Sequence, residues 1–86
     1  MRNRDRMDII SQILETANGV SGATKTKIMY NAFLGYSQLK EYLTTLTENH
    51  LLHYDFLSRT FKTTEKGLRF LKTYNQIDEM MKAPQF

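Results

Sequence analysis

Eighty-six residues, 41% hydrophobic and 24% charged, make one small domain, too short for two cores of its own and too apolar for a disordered tail. Twelve Lys and Arg against nine Asp and Glu leave a net charge of +3, a balance that suits nucleic acid without requiring it. The absence of cysteine excludes disulfides, thiolate nucleophiles and zinc–thiolate sites and points to an intracellular chain, and no apolar run nears the roughly 18 residues of a membrane span or the apolar core of a secretory signal.

Residues 1–4, MRNR, are expected to be flexible, with Arg2, Arg4 and Arg6 serving as a basic arm or as plain solvated charge. Over residues 5–17 the apolar positions Met7, Ile10, Ile13, Leu14 and Ala17 recur at helical spacing. Asp5 and Asp8 stand at the positive end of this helix, and Asn18-Gly19 stops it. The stretch VSGA, residues 20–23, is a linker with one small buried anchor. Thr24 caps a short second helix that runs from Lys25 to Ala32 or Phe33, with Ile28, Met29 and Ala32 inward and Tyr30 partly so.

Leu34-Gly35 then turns the chain into a third helix, Tyr36 to about Glu48. Its buried stripe is Leu39, Tyr42, Leu43 and Leu46, and its polar face is Ser37, Lys40, Glu41, Thr44 and Glu48. Either Gly35, with Gln38 reaching back, or Ser37 begins it. Asn49 or His50 is expected to take a positive φ at its end. Residues 51–57, LLHYDFL, read as a strand, Ser58-Arg59 as a turn and residues 60–63 as the returning strand. Leu52, Tyr54 and Phe56 share one face of the first arm, and His53 and Asp55 the other.

Thr63 or Thr64 caps the last helix, which carries Glu65 in its first turn, extends to about Lys82 and is ended by Pro84. Leu68 and Leu71 are expected to cover the core, while Phe70, Tyr74, Ile77 and Met81 form a second stripe on a roughly opposite face. A domain this small cannot cover both, so a helical seam with a second copy is expected. The order of elements gives a mainly α fold with a small β-hairpin. It is a winged helix-turn-helix over residues 5–63, then a C-terminal helix over 64–82 that covers the core and pairs two copies, then a flexible tail at 83–86.

Three segments, KTKIMYNAFLGYSQLKEYL, LTENHLL and TFKTTEKGLRFL, resemble the small archaeal winged-helix DNA-binding proteins over about residues 6–82. The most specific parts are residues 25–30 with Ala32, Gln38-Leu39 with Tyr42-Leu43, and residues 63–67, TTEKG. The resemblance implies double-stranded DNA binding by a homodimer joined through an antiparallel coiled coil of the last helix. It further implies a transcriptional regulator or chromatin protein in the cytoplasm, associated with the nucleoid. The chain departs from these proteins in having Gly35 where Ser is frequent and His50 where many have Gly, and its last helix is shorter than in the chromatin members.

On DNA, phosphate contacts are expected from Lys25 and Lys27 at the start of the second helix, from Arg59 and Lys62 in the wing and from Lys66 in the last helix. Base edges fall to Ser37, Gln38, Lys40, Glu41 and Thr44: Gln suits adenine, Lys guanine, Glu a cytosine amine and the Thr methyl thymine. Glu41 and Glu48 repel phosphate, so sequence-tolerant or modestly specific, salt-sensitive binding is expected, strengthened by dimerisation through Phe70, Tyr74, Ile77 and Met81. The alternative is a winged-helix protein–protein interaction module without DNA binding, in which that stripe meets a heterologous helix. His50 and His53 form H-x-x-H across a turn and a strand without a third ligand. No nucleophile constellation, phosphate-binding Gly loop or carboxylate pair stands out, so no enzymatic activity, cofactor, metal or small-molecule ligand is expected.

Overall fold

The computed structural model describes residues 5–81. The expectations for residues 1–4, including Arg2 and Arg4, for Lys82 and for the tail at 83–86 lie outside the described residues. The elements follow as α1 (Arg6–Ala17), α2 (Lys25–Ala32), α3 (Tyr36–Glu48), β1 (Leu52–Asp55), β2 (Thr60–Thr63) and α4 (Glu65–Met81). This is the winged helix-turn-helix order with a C-terminal helix that the sequence predicts.

Local chemistry explains most boundaries. Asp5 caps α1 through a reciprocal pair of hydrogen bonds with Asp8, which satisfies two N–H groups that the helix leaves without partners. Arg6 opens α1 and lies over the Tyr42 ring, 5.2 Å from its centroid, so it is packed on α3 and is no part of a free arm. Thr24 caps α2 by accepting from the Lys27 N–H. Gly35, not Ser37, begins α3; having no side chain, it is served only by Gln38, whose Oε1 accepts from its N–H at 3.4 Å.

Both α2 and α3 end on a residue in the left-handed region, Phe33 (φ 54°) and His50 (φ 63°). In each case the next two amides turn back onto the helix: Phe33 and Leu34 onto Tyr30 and Met29, His50 and Leu51 onto Thr47 and Leu46. The pairs close the last turn as a Schellman motif. A bulky phenylalanine in this conformation is uncommon, and it lets Leu34 enter the core while the chain reverses into α3.

The core lies where α1, α2 and α3 meet the hairpin. Ile13, Leu14, Ile28, Leu39 and Leu46 are its largest fully buried side chains, with Leu34, Tyr42, Leu43, Leu52, Phe61 and Leu71 around them. β1 and β2 pair antiparallel in the register Leu52↔Thr63 to Asp55↔Thr60. Ala23 is the small buried anchor of the linker. It exchanges two backbone hydrogen bonds with Phe61 and so adds a one-residue rung on the far side of β2. Gly22 precedes it at φ 69°, and a Cβ there would sit 2.6 Å from the Phe61 carbonyl oxygen.

Besides Tyr30, expected partly inward but 71% exposed, two expectations need correction. The first strand stops at Asp55, and Phe56 and Leu57 belong to the turn, because the Asp55 carboxylate accepts from the Leu57 and Ser58 amides and bends the chain there. The second concerns α4. Its inward residues are Gly67 and Leu71, whereas Leu68 is 40% exposed. A Cβ on Gly67 would come 2.3 Å from the Leu51 carbonyl oxygen, so the glycine lets α4 lie directly on the chain entering β1. Gly67 and Leu71 lie only about 60–100° around the helix from Phe70. The second stripe is therefore beside the core face, not opposite it: Phe70 packs against the core, and the Tyr74 hydroxyl donates to Asp8 of α1.

Candidate nucleic-acid interface

The face of α3 left after its apolar stripe is buried carries Ser37, Lys40, Glu41 and Thr44 on one exposed surface, with Tyr36 and Thr45 beside them. One edge of that face borders a groove of about 340 Å³. Its walls are Lys25 of α2, Tyr36, Lys40, Thr44 and Glu48 of α3, and Tyr54 and Phe61 of the hairpin. The groove thus brings together α2, α3 and the hairpin. Tyr54 and Phe61 are cross-strand partners with ring centroids 4.7 Å apart, which gives the wing a firm wall facing α3.

The predicted phosphate contacts are placed unevenly. Lys25 and Lys27 are exposed in the first turn of α2, where unpaired N–H groups favour anions, and no carboxylate occupies that turn. Arg59 is exposed at the end of the wing turn with φ 57°. Lys62 pairs with Asp55 at 3.4 Å across the hairpin, so part of its field is spent inside the wing. Lys66 donates to the Asn49 carbonyl oxygen at 2.9 Å, tying the start of α4 to the end of α3. Gln38 stands on the exposed side but engages Gly35 as described.

The Ser58 backbone N–H foremost, then the Ser58 side chain, hold the Asp55 carboxyl below the ordinary aspartate range, and the Leu57 amide and Lys62 act in the same direction. The wing turn is therefore organised around an ionised carboxylate. A second groove, about 680 Å³, runs between α1 and α4. Asp5, Met7 and Asp8 face Phe70, Tyr74, Ile77 and Met81 across it, and Asp78 stands on its rim. The four stripe residues do share this surface, but only Ile77 and Met81 are more than half exposed, at 53% and 79%.

His50 lies in the turn after α3 and His53 on β1, and among the described residues no three His, Cys, Asp or Glu side chains gather as a metal site would need. No helix among the described residues is long and apolar enough to cross a membrane. The sequence reading gave no function to Phe56, Leu57 or the groove-lining Tyr36. Their types carried no signal for it, since Phe56 and Leu57 read as the end of a strand until the turn at 56–59 exposes them.

Among solved structures, the chain is similar to Sso10a-2, a DNA-binding protein from Sulfolobus solfataricus, with a TM-score of 0.76. The identity is 22%, over 90% of this chain and 81% of that one, a likeness that shows the shared fold. No curated relative matches the chain. A family model described as winged helix-turn-helix matches residues 3–82. With that match spanning α1 to α4 and the wing, the chain belongs to the winged helix-turn-helix family.

Proposed function

We propose that the chain binds double-stranded DNA as a homodimer, reading the groove with α3, and acts as a transcriptional regulator or chromatin component on the nucleoid. The observation that carries this is that the polar face of α3 borders a groove shared with Lys25 of α2 and with the wing strands, while Lys27 in the same turn of α2 and Arg59 in the wing turn are also exposed. Exposed cations on the elements next to a polar helix face match a duplex, whose phosphates position the protein while base edges meet the helix. The DNA-binding description of Sso10a-2 agrees with this reading. On it, Ser37, Lys40, Glu41 and Thr44 contact base edges, with Gln38 at their margin. Lys25, Lys27 and Arg59 carry most phosphate contact, with Lys62 and Lys66 secondary because each already has a protein partner. The role is one of binding, not catalysis.

Residues 5–63 form the reading module and α4 the pairing element, whose far half, Ile77 and Met81, meets a second copy. The test is duplex binding against salt. Affinity is expected to fall about 10³-fold or more between roughly 50 and 200 mM salt if six or more phosphates are engaged by the dimer. Neutralising Lys25, Lys27 and Arg59 together weakens binding to all sequences alike, whereas Lys40→Ala changes sequence preference. Absence of binding at low salt, or a flat salt dependence, removes the proposal. The acid-rimmed apolar groove between α1 and α4 favours a second reading, a docking site for a heterologous helix. A wild-type chain that sediments as a monomer without such a partner speaks for that reading against the homodimer.

A further inference from the structure

The wing turn, residues 56–59, holds two apolar side chains well outside the fold: Phe56 is 82% and Leu57 95% exposed. The turn that carries them is held from several sides. The Asp55 carboxylate accepts from the Leu57 N–H at 3.0 Å and the Ser58 N–H at 3.4 Å. The Arg59 N–H donates to the Asp55 carbonyl at 2.8 Å, and the Ser58 and Thr60 hydroxyls share a hydrogen bond at 2.7 Å. Phe56 meets Tyr54 edge-to-face, ring centroids 6.4 Å apart. Tyr54 is also the wall of the groove beneath α3, so the tip continues the surface on which Lys25, Lys40 and Thr44 lie.

We propose that Phe56 and Leu57 form an apolar wedge that enters the minor groove beside Arg59, partly unstacks one base step and bends the duplex. This inference rests on the DNA-binding reading above and adds to it a mode of binding that deforms the DNA. The size of the tip selects the occupant. Two side chains on a four-residue turn fall far short of the ~800 Å² per partner that a stable protein interface buries. They match the apolar residues that proteins insert at a single base step. The surroundings select it too. Arg59 adjoins the pair, and with Lys62 balanced by Asp55 the wing turn keeps a net positive charge, which suits an apolar tip entering a polyanion.

The experiment uses the full chain and a duplex of about 30 base pairs, dye-labelled at both ends, with 2-aminopurine at a central TA step, the kind of step that unstacks most readily. Binding of the wild type is expected to raise end-to-end energy transfer, corresponding to a bend of roughly 20–90°, and to raise 2-aminopurine fluorescence. The double variant Phe56→Ser, Leu57→Ser is expected to bind within about fivefold of wild type, because phosphate contacts carry the affinity, and to lose both signals. Leu57→Ser alone moves both signals the same way at a side chain whose exposure keeps the fold out of question. Wild-type binding without either signal, or a double variant that keeps both, overturns the wedge alone. So does a double variant whose sedimenting mass falls, since the pair would then join two copies of the chain. Failure of the wild type to bind at about 50 mM salt overturns the DNA-binding reading and the wedge together.

Discussion

Helices α3 and α4 are both amphipathic, but the domain completes only one of them. The apolar residues Leu39, Tyr42, Leu43 and Leu46 of α3 are all buried, and what it shows to solvent is mostly polar. α4 is anchored at its start by Thr64, which accepts from the Gly67 N–H and donates to the His50 carbonyl, and by Lys66, Gly67 and Leu71. Beyond Tyr74 it leaves Ile77, Met80 and Met81 outside. The molecule, 51 × 26 × 20 Å, is elongated accordingly. α3 has a buried inner face and a polar outer face; α4 has an apolar outer face that the described residues leave uncovered.

The comparison predicts opposite responses to similar substitutions. Leu46→Ala removes a side chain 1% exposed at the centre of the core and is expected to destabilise the protomer by about 2–5 kcal/mol, read as a lower urea midpoint. Against a total of about 0.05–0.15 kcal/mol per residue, this variant stands near the limit of folding. Ile77→Asp should leave the protomer folded and instead lower the sedimenting mass from twice 10.1 kDa to 10.1 kDa. Losing the burial of one isoleucine per chain weakens association by about 1.5–3 kcal/mol for each copy. If Ile77→Asp destabilises a dilute sample as strongly as Leu46→Ala, α4 is finished within its own chain and the distinction fails.

The anchored half of α4 gives a sharper test. Gly67→Ala places a Cβ against the Leu51 carbonyl, which is backbone and cannot swing away, so α4 must shift. A loss of about 1–3 kcal/mol is expected despite the better helix propensity of alanine, and hydrogen exchange should rise first in α4. Raised stability in this variant would show that the close approach is not a constraint.

These contrasts mark how far the residues alone disclose the molecule. The α3 stripe, the Thr24 cap and the left-handed residue after α3 were legible because each depends on chemistry within a few positions. The strand end at Asp55 was hidden because Phe56 continues the alternation of Leu52 and Tyr54, while the carboxylate that breaks it acts through backbone amides. Of the two residues expected inward on α4, Leu71 is buried and Leu68 is not; glycine carries no hydrophobic signal, yet Gly67 is where the helix lies directly on the chain entering β1. At the candidate interface the residue types were legible, but their prior engagements were not. Lys62 with Asp55, Lys66 with Asn49 and Gln38 with Gly35 all depend on where side chains end up in space.

The wing offers a pH-dependent version of the same contrast, since two of its turn amides bond to one ionised group. The folded Asp55 titrates below its ordinary value of 3.8, so its contribution to wing order is complete above that value and is lost as pH falls through the lowered one. The amide resonances of Leu57 and Ser58 should therefore titrate together below pH 3.8, before or with any global acid transition. In Asp55→Asn that step should be absent. A midpoint above the ordinary value would mean that the carboxylate is disfavoured in the wing and that the hydrogen bonds do not hold it ionised.

The smallest effect concerns the hinge between the two helices. His50 is exposed and sits at φ 63°, a conformation that disfavours any residue with a Cβ by about 1–2 kcal/mol. Its backbone role survives substitution, because Thr64 bonds its carbonyl and its own N–H bonds Thr47. Gly at this position relieves the steric term but loses more freedom on folding, which offsets about 0.5–1 kcal/mol. His50→Gly should therefore raise stability by no more than about 1 kcal/mol, read as a higher denaturation midpoint with an unchanged urea slope. An unchanged slope matters as much as the sign: it would show that unfolding exposes the same surface, so that the gain comes from the turn alone. A loss of stability would instead assign the imidazole a contact that holds α4 to α3.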